Sequence, residues 1–435
     1  MPIVRPFRHR SPRTVRCAFI ALAVAMAALA LGVPASFADT GSVYVDGSRN
    51  VAVGHDFFGP SLTAGAGDNA GLGYSVFPNV TTAHGNLAAG VNSLNSLTDG
   101  VFNTATGFDS LFKNTGGSEN AAVGTDAMFE NTTGNQNVAV GDDALQVETT
   151  ANDNVAAGFN ALSVSTAAGD VAVGSGSLAK NTTGDDNVAS GFQSLGANTT
   201  GNDDVATGFQ ALEANTTGHD NIATGSRALD ANTIGHHNLA IGTDALGANT
   251  DGAGNVATGW QALGANIHGD DNVASGNGAL AANKTASDNV AAGTNALLSS
   301  TTGHDNVGEG FSALVNATGS RNVALGANAG QKLTTGSDDV DIASPGAPGE
   351  SGTIRIGTAT KQTKTFLAGV YGKPLTGAQT VVVNSAGRLG TAPAGAAAST
   401  QTVSRLREKV RRQSAELRQQ GATIQRLQQK VRAGR

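Results

Sequence analysis

The sequence predicts an all-β chain, a parallel β-solenoid (β-roll) of 17-residue coils followed by a C-terminal α-helical coiled coil, and three observations carry that expectation. First, a glycine returns every seventeenth residue through Gly73, Gly90, Gly107, Gly124, Gly141 and Gly158, comes one residue early at Gly174, resumes from Gly191 to Gly310 and is again early at Gly326. A fixed period this short marks a solenoid, since a two-helix repeat needs about 33 residues or more. Second, the surroundings repeat too: Asn-Val-Ala-x before that glycine, Ala-Leu three and four residues after it, and Asn-Thr-Thr-Gly closing the unit. Third, the apolar spacing changes near the C-terminus. Val403, Leu406, Val410, Leu417, Ile424, Leu427 and Val431 fall on alternating steps of three and four, with Gln413 and Gln420 in the two remaining seam places, which is a heptad pattern.

Within a coil, Val-Ala-Val, Ile-Ala-Thr and Val-Ala-Ser read as short extended runs, and the 59 glycines with the Asn-Thr-Thr-Gly, Asp-Asn and Gly-Asn clusters supply turns. One coil cannot bury a core alone, but stacked coils align like on like. The expected core ladder is Val188, Val205 and Ile222 with Leu195, Leu212 and Leu229. Strand alternation then turns the intervening alanines outward. Ala189, Ala206, Ala223, Ala240 and Ala257 repeat without drifting to polar residues, so they are expected to form a smooth subunit-contact stripe. The competing explanation pinches each Ala against its own coil.

Taken in order, residues 1–38 carry five arginines, the apolar run CAFIALAVAMAALALGV and Ser36-Phe37-Ala38, a secretory signal peptide, with an uncleaved membrane anchor as the alternative. The only cysteine, Cys17, lies there, so the remainder has no thiol for disulfides, zinc or nucleophilic catalysis. Residues 39–68 form an N-terminal cap and irregular first coil, where Tyr44, Phe57 and Phe58, with Tyr74 and Phe77 beyond, read as an end cap over a ligand-binding tip. The β-roll head occupies 69–343, a β-rich neck 344–391, a small-residue linker 392–400 and the coiled coil 401–433.

Three surface columns invite functional readings. Phe108, Phe159, Phe192, Phe209, Trp260 and Phe311 follow the corner glycine and read as corner packing, with stacking on a sugar or partner as the alternative. Asp186, Asp203, Asp220, Asp271, Asp288 and Asp305 stand just before the place of the repeat Asn, as Asp153 does. Like charges about 4.8 Å apart repel by roughly 1 kcal/mol in water, which solvated turns tolerate, and the rival reading is a divalent-cation ladder. Histidines 219, 236, 237, 268 and 304 share the same turn and read as exposed residues rather than ligands, so no metal and no cofactor is expected. Asn131, Asn181, Asn198 and Asn215 match the glycosylation pattern, but turn chemistry suffices to explain Asn-Thr-Thr-Gly. Phosphate-binding, nucleophile-elbow and zinc-protease motifs are absent, and no catalysis is expected.

Charge divides the chain. Removing the five leader arginines and the coil's ten basic and two acidic residues from totals of 27 and 34 leaves 12 basic against 32 acidic. The net charge is −20 on head and neck and +8 on the coil. An acidic head is a poor nucleic-acid binder, while the basic coil suits anionic surfaces.

The NVAVG-x-x-AL units resemble the head repeats of trimeric autotransporter adhesins, in which an Asn-Ser-Val-Ala-Ile-Gly motif marks each coil of a left-handed parallel β-roll. TIRIGTATKQTKTFLAGVYG with VVVNSAGRLGT is similar to the neck of secreted and phage-like tail-fibre proteins, which normally precedes a self-cleaving chaperone domain. The sequence given shows neither that domain after Thr391 nor a β-barrel anchor after the coil. The resemblance implies a secreted or cell-surface fibrous homotrimer that binds a host-surface glycan or matrix protein without catalysis. The alternatives are a tail-fibre or spike component of a phage-like particle and, further off, a polysaccharide-acting parallel β-helix enzyme.

Overall fold

A computed structural model describes residues 42–58, 65–358, 361–366, 381–384, 387–391 and 398–433. The expected signal peptide and most of the linker lie outside these residues. Strand β1 (Ser42–Val45) runs antiparallel to β2 (Val51–His55), pairing its free edge. From β2 through β3 (Ala70–Tyr74) to β20 (Ile354–Ile356), each strand pairs in parallel with its successor. Register follows the repeat, with Val188 on Val205 on Ile222 and Ala189 on Ala206 on Ala223. The chain is therefore a parallel β-solenoid of 17-residue coils.

In the coil 191–207 the buried residues are Ser194, Leu195, Asn198, Gly201, Asp204 and Ala206. Leu195, Leu212 and Leu229 form a sealed column, but the strand phase is opposite to the sequence expectation. Ala189, Ala206, Ala223, Ala240 and Ala257 are 0% exposed inside their own roll, whereas Val188 is 36% and Ile222 43% exposed, with Val205 between buried and exposed. Val188, Val205 and Ile222 are thus not core, and the alanines are not a subunit stripe. The reason is the width of the roll. At Gly308, where a strand lacks the alanine, an added Cβ would already stand 3.3 Å from Leu297 Cγ. The leucine fills the lumen from one wall, and only a methyl group fits on the other.

The leucine column carries a second constraint. Leu195, Leu212 and Leu229 have φ of 50°, 52° and 53°, the left-handed region, where β-branched side chains are genuine outliers. This accounts for leucine or methionine, never valine or isoleucine, at this place from Leu94 to Leu314. Leu212→Ala should cost about 2–5 kcal/mol through lost burial and a cavity. Leu212→Ile, nearly isosteric, should still cost about 1–3 kcal/mol through backbone strain. Urea unfolding measures both, and an isoleucine variant as stable as the parent would contradict the assignment.

The N-terminal end is covered by aromatics. Phe58 stacks on buried Phe77 at 5.5 Å, and Tyr44 lies 5.9 Å from Phe57. Residues 364–435 form a separate unit. It holds a two-stranded antiparallel ribbon, β21 (Val381–Val383) with β22 (Leu389–Thr391), and one helix, α1 (Ala398–Ala433). Leu406, Val410, Leu417, Ile424, Leu427 and Val431 are all exposed on α1, and Val403 lies on the same helix.

Candidate functional site

The surface-forming turns are set by backbone conformation. Asp153, Asp186, Asp203, Asp220, Asp271, Asp288 and Asp305 all have φ between 53° and 62°, and glycine takes the same place at Gly169 and Gly254. Asp, Asn and Gly tolerate this region best, so the acidic column answers a conformational demand. It does not gather into an extended cation ladder. Among the described residues, one group of three His, Cys, Asp or Glu donors lies close enough to share an ion: His219, Asp220 and His237. Asp186, Asp203, Asp271, Asp288 and Asp305 are outside it. His268 pairs with Asp251 at 2.5 Å, and His304 Nδ1 accepts the Ser287 amide at 3.0 Å.

The aromatic column is exposed rather than packed into the corner. Phe108, Phe159, Phe192, Phe209, Trp260 and Phe311 each show about half their surface, and only Phe192 and Phe209 among them stack, at 5.6 Å. Beside them, outward residues at the first and third strand positions form an aliphatic face that includes Val140, Val173, Val188, Ile222 and Ile241.

Two buried amide ladders escaped the sequence reading. In one, Asn221 Oδ1 accepts the Asn238 backbone N–H at 3.1 Å, and Asn238 Nδ2 donates to the Gly252 carbonyl at 2.8 Å. In the other, Asn215 Nδ2 donates to Asn198 Oδ1 at 3.1 Å and to the Gly218 carbonyl at 2.9 Å. The sequon residues Asn131, Asn181, Asn198 and Asn215 belong to this second ladder and are sealed, so the folded roll offers no glycan acceptor at them.

Carboxylates interrupt both ladders. Glu148 occupies an Asn place in the second ladder; burial pushes its carboxyl up to about 8, against partial relief from the Asn154 and Asn137 side chains. Asp170 and Asp204 occupy Asn places in the first. Burial raises each to about 7 although each accepts the next coil's backbone N–H, from Asn187 at 2.9 Å and Asn221 at 2.8 Å. Perturbed carboxylates often mark active sites, but these three are 0% exposed inside the lumen, where a substrate cannot meet them. The described helix is not long and apolar enough to cross a membrane.

The fold class and the surface together define a repetitive, acidic β-solenoid bearing an aliphatic face. Comparisons with protein-family models, with curated proteins and with solved structures gave no match.

Proposed function

We propose that the chain is an exported, non-enzymatic fibrous homotrimer acting by adhesion or as a structural surface appendage, with host glycans or matrix proteins as ligands of the head. The observation that carries this reading is the outward aliphatic column: Val188, Val205, Ile222, Leu239 and Val256 repeat in register along the roll and are at least partly exposed. A regular apolar stripe on a charged, acidic surface suits contact with a partner of the same periodicity. The exposed seam of α1 supports the same reading, since a narrow apolar seam at heptad spacing is suited to burial against the same seam of other helices. The basic α1 could also contact anionic surfaces.

Replacing Val205 and Ile222 together by Glu tests the contact. The variant should keep its β-sheet circular dichroism while head-to-head association weakens, whereas Ala206→Glu with Ala223→Glu should unfold the surrounding coils by burying charge. Equal effects from the two pairs would contradict the assignment of faces. Adhesion itself is read from a glycan and matrix-protein array, where saturable binding to one class is expected and uniform failure to bind counts against it.

A further inference from the structure

His219 and His236 hold the same position in consecutive coils, and their rings stack at 5.0 Å with 5° between planes. Asp220 and His237 hold the next position, each with φ of 57°. The two coils are tied there by the His237 N–H, which donates to the His219 carbonyl at 3.2 Å, and Asp220 N–H donates to the Asn202 carbonyl at 3.1 Å. Four side chains with nitrogen or oxygen donors therefore stand on a two-by-two lattice fixed by the solenoid register.

We propose that His219, Asp220 and His237, supported by His236, bind one divalent transition-metal ion of the zinc class on the turn face of the roll. One donor atom from each of the three lies within 4.8 Å of the others. His219 Nδ1 is 2.8 Å and His237 Nε2 3.6 Å from Asp220 Oδ2. Ligands about 2.0–2.2 Å from a tetrahedral zinc ion are roughly 3.3–3.6 Å apart. Small rotations of exposed side chains bridge that difference.

The fourth residue supplies the outer support such sites use. His236 Nδ1 lies 2.8 Å from His237 Nδ1, a separation that requires one of the two nitrogens to carry a proton. When His237 donates from Nδ1, its Nε2 is left with a lone pair on the side of Asp220. A ligating imidazole commonly donates its other N–H to such an acceptor, which fixes its tautomer. The donor set selects the ion: two imidazoles and one carboxylate suit Zn²⁺, Ni²⁺ or Cu²⁺, whereas Ca²⁺ and Mg²⁺ favour all-oxygen shells. In the following coil the equivalent places are Ala253 and Gly254. They bring no long side chain, whereas the preceding coil places Asn202 and Asp203 there, outside the group of three close donors, and a fourth coordination position falls to water or to a ligand from another molecule. The bound ion would join neighbouring coils at one point along the roll.

The test is isothermal titration of the tag-free full chain with zinc chloride at neutral pH. One ion per chain should bind saturably, and hundredfold excess Ca²⁺ should not compete. His237→Ala and Asp220→Asn should each weaken binding by at least tenfold, and acidification should release the ion, because ligating imidazoles must be unprotonated. His268→Ala should leave binding unchanged, and circular dichroism should show each variant folded. Absence of saturable binding, unaltered affinity in the His219→Ala/His237→Ala double variant, or loss of binding in His268→Ala would overturn the assignment.

Discussion

Gly208→Ala should destabilise the middle of the roll by about 3 kcal/mol or more, the upper end of the cost of a strained backbone with a steric clash added. Gly208 has φ of 140°, a conformation that residues with a Cβ rarely adopt, and an added methyl group would collide with the Gly225 carbonyl oxygen. The coil cannot move away, since the Gly208 N–H donates to the Ser190 carbonyl at 2.8 Å and the Gly225 N–H to Thr207 at 2.8 Å. Because a solenoid is held by nearest-neighbour interfaces, the damage should concentrate between the coils flanking Gly208. Hydrogen exchange should show lost protection there and retention far away. Gln210→Ala, at an outward turn position, should change stability by less than about 0.5 kcal/mol.

The head should become more stable as pH falls from 8 to 5. Glu148 has a carboxyl raised from its ordinary 4.5 to about 8, so the folded state holds a proton that the unfolded chain has released across that interval. The stabilising contribution is complete below about 4.5 and is lost as pH rises through 8. Asp170 and Asp204 act in the same direction between 3.8 and about 7. For Glu148 alone the change is on the order of 3–5 kcal/mol. Glu148→Gln should remove most of the slope above pH 7 and stabilise the roll at pH 8, and Asp204→Asn, which restores the amide ladder, should flatten the lower part. Thermal melts of the variants at pH 5 and pH 8 report this directly. A parent roll more stable at pH 8 than at pH 5 would contradict it.

The period and the leucine column were legible because spacing alone fixes both. The seventeen-residue return places Leu195, Leu212 and Leu229 above one another whatever the coil shape. Strand phase was not legible, since an alternating Val-Ala-Val run states that two faces exist without stating which is inside. The deciding quantity was lumen width, visible in how closely a Cβ at Gly308 would approach Leu297. The recurring alanine held the signal: opposite the leucine column the place takes one methyl group or, at Gly308, none, and the larger Asp341 enters it in the coil where Gly330 stands in the leucine's place. The asparagine ladders were hidden by the same residues that make turns: Asn-Thr-Thr-Gly reads as surface, yet Asn198 and Asn215 are sealed and hydrogen-bonded coil to coil. The histidines could be counted as neighbours along one column, but the approach of His237 to Asp220 came from the adjacent column and needed the stacked register.

The proposed assembly is tested most directly by sedimentation equilibrium of the purified chain at micromolar concentration. The account expects a single species of three times the chain mass, 43.2 kDa before any processing, stable to dilution because both the aliphatic face of the roll and the seam of α1 are covered. A strict monomer across that range would leave Val188, Val205, Ile222 and the leucines of α1 facing water, and would contradict the trimer and the adhesive role built on it.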